Sequence, residues 1–169
     1  MQRPQENEYA SFYKNYIVLA TGNNIRQVIA THSQKINEFY SNLPEAKAAY
    51  AYATDKWTIK DLLQHLIDAE RIFVYRATRF ARKDNQNLLG FEENEYAANA
   101  NAAKRTLQSL KDELAALRAS TNLFLQSLDE EKLQQTGTAN NHSISVNAIA
   151  FIIFGHLIHH KNIIEEKYL

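Results

Sequence analysis

His156 and His160 stand four residues apart in the run Gly155-His156-Leu157-Ile158-His159-His160, near the end of a chain with six histidines and no cysteine. On an α-helix that spacing is about 40° of rotation and about 6 Å of rise, so the two imidazoles aim at one point. Ile149, Ile152 and Ile163 share their stripe, which turns this face toward a core and away from water. Buried ring nitrogens need partners. A hydrogen-bonded core pair is the ordinary solution and a divalent metal is the other. His65, in a separate stretch of helical periodicity, adds a third imidazole. Three neutral imidazoles leave coordination positions for water or substrate, the arrangement of a catalytic site, and zinc or nickel suits them best. Without thiolates, any ion must be held by nitrogen and oxygen.

The elements that position these side chains read as helices, since two prolines and four glycines punctuate the whole chain. The last helix spans Ser145 to Tyr168, with Ser145 as its cap. The second starts at Thr58, where Asp61 closes a capping box and Trp57 and Leu62 are placed as a hydrophobic staple, and runs to about Arg82. Its buried arc is Leu62, Leu63, Leu66, Ala69, Phe73, Ala77 and Phe80; Lys60, Gln64, Asp68, Arg71, Tyr75 and Arg82 form the wet arc. His65 falls on the edge of the buried arc. Arg76 shares its azimuth, but about 16 Å further along the axis, too far for a neighbour of the ligands. Glu70 lies inside the apolar arc, where a buried partnership with an arginine is the expected way to hold its charge.

A first bundle helix is predicted from about Asn24 to Ser41, with Ile25, Val28, Ile29, Ile36 and Phe39 inward and His32 on the same stripe. His32 reads as a satisfied boundary histidine or as a further polar group of the site. Ahead of it, Tyr9, Phe12, Tyr13, Tyr16 and Ile17 recur at helical spacing in Glu8 to Ala20. This aromatic stripe is packing surface first, although its hydroxyls can reach a nearby pocket. The third bundle helix begins at Tyr96 or Asn99, its seam running through Ala103, Leu107, Leu110, Leu114, Leu117, Thr121, Phe124 and Leu128. Residues 84–95 and 136–142 read as loops, with His142 exposed, and residues 129–133 as a short turn of helix.

At 169 residues the chain suits one domain over 1–169, with residues 1–20 as an N-terminal aromatic extension. Nineteen basic residues balance nineteen acidic ones, which argues against a nucleic-acid or membrane partner. No run is apolar enough for a membrane span and the N-terminus lacks a secretory pattern, so a cytoplasmic location is expected.

The run from Lys56 through His65 to Arg71, the later Tyr75-Arg76, Ala81-Arg82 and Gly90-Phe91, and the closing Gly155 to His160 resemble the DinB-like family of metal-binding four-helix bundles, which includes YfiT-type proteins. The resemblance extends over nearly the whole chain. It implies an all-α, up-down-down-up four-helix bundle, often a homodimer, with His65, His156 and His160 as the metal ligands. His159, Glu70 and His32 are then candidates for supporting the site, and a general base is not apparent. The family's activities suggest a metal-dependent enzyme, either a transferase using a low-molecular-weight thiol or a hydrolase, acting on a small-molecule substrate. The alternative is a non-catalytic stress-response bundle that binds a metal or small ligand. A roomy cavity with an acid-base residue beside the ion would favour the enzyme, and a filled site the binding protein.

Overall fold

The computed structural model describes residues 2–169. After short 3-10 turns at Glu6–Glu8 and Ser11–Tyr13, the elements are α1 (Lys14–Leu19), α2 (Ile25–Ser41), α3 (Ile59–Ala81), α4 (Glu93–Ala100), α5 (Leu107–Gln126), α6 (Glu130–Gln134), β1 (Thr136–Ala139), β2 (His142–Ser145) and α7 (Val146–Lys167). The long helices α2, α3, α5 and α7 surround one continuous apolar cluster.

Local chemistry sets where these helices begin. Thr58 Oγ1 accepts from the Asp61 amide while the Asp61 carboxylate accepts from the Thr58 amide, so α3 starts on the expected capping box. Asn24 caps α2 through the Gln27 amide and Ser145 caps α7 through the Ala148 amide. On α3 the expected buried arc is buried throughout. Gln64 departs from the expected wet arc: it is buried, accepting from Arg105 and donating to Asp68. Phe39 is likewise only partly buried, and Tyr40 points inward instead, donating from its hydroxyl to the Leu157 carbonyl at 2.7 Å. That bond pins α7 beside His156.

α7 lies at the centre. From Val146 to Leu157 it is buried on every side, because α1, α2, α3 and α6 all pack against it. Helices hydrophobic all round belong inside, so the expectation of a single inward stripe understated its burial.

Two segments differ from the sequence reading. The third bundle helix starts at Leu107, not near residue 96 or 99, because Asn101 adopts a left-handed conformation that ends α4 and Thr106 caps α5 afresh. The break shifts the phase, leaving Ala103 exposed and Ala102 buried. Residues 136–142 are no loop either: β1 and β2 pair antiparallel, so the chain is mainly helical with one small sheet. Asn140 and Asn141 both have positive φ, as a two-residue hairpin turn requires.

The N-terminal segment packs along α7. Arg3 donates to the carbonyls of Ile17, Ala20 and Gly22 and lies over the Phe151 ring, tying down the end of α1. The close approach depends on Gly155, where a Cβ would overlap the Tyr16 carbonyl. Among the described residues, no helix is long and apolar enough to cross a membrane.

Candidate metal centre

Helix α3 brings His65, and α7 brings His156 and His160, to one place. His156 Nε2 lies 3.0 Å from His65 Nε2 and 3.1 Å from His160 Nε2, and the three ligand atoms lie within 4.8 Å of one another. A ring nitrogen offers one N–H or one lone pair in its plane. His156 Nε2 therefore cannot make two well-aligned hydrogen bonds at once, and one close contact is left unsatisfied whichever tautomer it adopts. A cation removes the conflict, because each nitrogen then turns a lone pair toward it. An ion about 2.0–2.1 Å from each nitrogen needs ligand atoms roughly 3.0–3.4 Å apart, which both contacts meet. The donor set thus fits a divalent transition metal.

Protonation does not resolve the contact. Burial lowers His65 to about 4 and His160 to about 3, the latter helped by the nearby imidazoles of His65 and His159. Burial drives His156 well below 6.5, with His160, His65 and His159 adding to the effect. All three are neutral at pH 7, the form that ligates metals. Aromatic rings hold them in place: Trp57 lies 4.8 Å from His65, while Tyr16 and Phe73 lie 5.4 and 6.0 Å from His156.

The cluster opens into a cavity of about 480 Å³. Phe12, Tyr13 and Tyr16 from the N-terminal segment line it, with Trp57, Phe73, Phe91, Arg76, Glu93, Asn140 and His159. His159 is half-buried, its ring 5.3 Å from Tyr16 and 5.1 Å from His160, and burial lowers its pKa. Burial raises the hydroxyls of Tyr13 and Tyr16, so both remain protonated at neutral pH.

Of the supporting candidates, only His159 is at the cavity. Glu70 is 2% exposed and pairs with Arg118, itself 1% exposed, at 2.7 Å. This is the buried partnership expected for it, and it holds α3 to α5 away from the cavity lining. His32 is also removed from the site: its Nε2 meets the Thr21 hydroxyl and carbonyl at 3.0 and 3.1 Å, joining α2 to the end of the N-terminal segment. Arg76 is no neighbour of the three histidines in the ligand sense, yet it lines the same cavity. Sequence reasoning missed Asn140, which arrives on the hairpin turn. The Asn-Asn pair between Thr136-Gly137-Thr138-Ala139 and Ser143-Ile144-Ser145 was the available signal.

Residues 29–164 match the DinB superfamily. The chain belongs to that superfamily. Two solved structures extend the likeness to nearly the whole fold of this DinB superfamily protein. YfiT from Bacillus subtilis, described as a probable metal-dependent hydrolase with an unusual four-helix bundle topology, superposes with a TM-score of 0.72 at 14% identity, over 97% of this chain and 90% of YfiT. A protein from Streptococcus pneumoniae gives 0.63 at 19% identity, over 95% of this chain and all of that one. Comparison with curated proteins finds no matching sequence.

Proposed function

We propose that the protein is a metal-dependent hydrolase of a small molecule, in which His65, His156 and His160 hold one divalent transition ion, zinc or nickel. The observation that carries this reading is the convergence of three neutral imidazole nitrogens at the wall of a 480 Å³ cavity. A closed structural site would leave no such space beside the ligands. The description of YfiT points to the same class of reaction.

The ion, when bound, supplies Lewis acidity toward a substrate carbonyl or an attacking water. His159 is the acid-base group: neutral at pH 7 and next to His160, it can take a proton from the nucleophile and return it to the leaving group. Tyr16, whose ring contacts both His156 and His159, orients the latter from the N-terminal wall. Phe12, Phe73, Trp57 and Phe91 receive an apolar portion of the substrate and displace water from it. The up-down-down-up helix order and a homodimer belong to the same proposal, resting on the family likeness, and so does a cytoplasmic location, resting on the sequence pattern.

The chain has no cysteine, so a thiol-transfer reaction would need a low-molecular-weight thiol in this cavity. Metal-loaded protein is to be assayed against esters, amides and electrophiles, each with and without glutathione, bacillithiol and mycothiol. Hydrolysis without thiol, reduced by about 10²–10⁴ in kcat in His159→Gln at unchanged metal content, is the expected result. Turnover only with a thiol selects the transferase. No turnover above the metal-stripped control overturns the enzymatic reading in favour of a binding bundle.

A further inference from the structure

Two arginines are almost wholly enclosed by this fold, and they are treated differently. Arg118, 1% exposed, is neutralised from within by Glu70 and also donates to Asn122. Arg76, 5% exposed, donates to the Leu89 carbonyl at 2.8 Å and has the Tyr13 hydroxyl beside it. Among the described residues, no carboxylate stands within ion-pair reach of Arg76, whereas Arg71, Arg79 and Arg105 each have one. A guanidinium stays charged at any physiological pH, and an enclosed charge without a counter-ion is expensive. Arg76 lines the cavity that holds the three histidines, so the missing negative charge is one that the cavity can admit.

We propose that the substrate carries an anionic group, a carboxylate or a phosphate, and that Arg76 receives it at the part of the cavity remote from the three histidines. This rests on the reading of the cavity as a substrate site. His65 and Arg76 lie on one face of α3, their Cα atoms about 16 Å apart along its axis, so the ligand reaches from one end of the cavity toward the other with the aromatic walls about its middle. The planar guanidinium grips either anion through paired N–H donors. Glu93, exposed at the start of α4, lines the same cavity and acts electrostatically on Tyr13 and Tyr16. It therefore opposes an incoming anion and sets the affinity from the rim.

Trp57 is the one tryptophan of the chain and lines the cavity, so its fluorescence reads occupancy. The full-length protein, stripped of metal with chelator, is titrated with 3-phenylpropionate, phenyl phosphate and the neutral 3-phenylpropionamide. The better anion should bind about tenfold or more tightly than the amide, a preference that Arg76→Gln removes and Arg76→Lys keeps in part. Glu93→Gln, on the surface and harmless to folding, should tighten both anions several-fold at low salt without affecting the amide. The stronger of the two anions identifies the headgroup class. The proposal is overturned if the anion-to-amide ratio is the same in wild type, Arg76→Gln and Glu93→Gln; should Arg76→Gln not fold, Glu93→Gln alone decides. Because these titrations are made on metal-stripped protein, they do not depend on whether the three histidines hold an ion, so failure of the metal reading and failure of this one are separable.

Discussion

His65 and His156 meet Nε2 to Nε2 at 3.0 Å although 91 positions separate them in the chain. Two helices must dock in one register to produce that contact.

If the pair and His160 hold an ion, purified protein contains close to one transition-metal ion per chain. His65→Ala or His160→Ala should empty the site while the apolar core survives. Elemental analysis of the folded protein checks the stoichiometry. Added zinc or nickel should raise the melting temperature of wild type, as a ligand of the native state must, and not that of the variants. Full occupancy in both variants would exclude the assignment.

Acid should act through the same residues. In the metal-free protein the folded-state pKa values of His65 and His160 are depressed to about 4 and about 3 from an ordinary 6.5. The unfolded chain therefore binds more protons than the folded one below that value. Their contribution to stability is present above about pH 6.5 and is lost as pH falls toward 4 and then 3. Urea unfolding of stripped protein should show this decline, less steep in His65→Gln. With metal bound, the ion and protons compete for the same nitrogens, and release should occur on the same descent.

The Glu70–Arg118 pair should be structural. Arg118→Ala leaves a carboxylate in the core and should destabilise by about 3–5 kcal/mol, whereas the double replacement Glu70→Leu with Arg118→Leu should be milder than either single change. Chemical denaturation measures both effects. Metal content per folded chain should stay at the wild-type level, since neither residue lines the cavity.

Gly155→Ala tests the seating of the N-terminal segment. The added methyl meets the Tyr16 backbone, and overpacking of this kind costs typically about 1–3 kcal/mol. Limited proteolysis should then cut ahead of α2 faster than in wild type. An unchanged cleavage rate and melting temperature would contradict the packing described.

What could be read from the sequence was whatever depends on short-range spacing. Thr58 with Asp61 fixed a helix start, and the four-residue interval of His156 and His160 placed two imidazoles on one face before any packing was known. Bringing His65 to them needed only that two apolar faces meet. Features that arise from tertiary contact were not legible. The partner of Glu70 lies 48 positions away on α5, with nothing in the local pattern to single out Arg118. Arg76 was set aside on axial distance, because a helical wheel carries no information about an elongated cavity. The hairpin was overlooked because Thr136-Gly137-Thr138-Ala139 has little apolar character to mark a strand; pairing with β2 and the backbone bonds to Leu88 stabilise it.

The family match begins at residue 29, while Phe12, Tyr13 and Tyr16 stand ahead of it and line the cavity that holds the histidines. Cage and roof are thus separate stretches of polypeptide, joined by an arginine clamp and by the absence of one methyl group at residue 155. Grafting a different first two dozen residues that keep Tyr16 onto the same bundle would redraw the chamber while the three imidazoles stay on α3 and α7, which makes this leading segment the natural handle for changing what the protein admits.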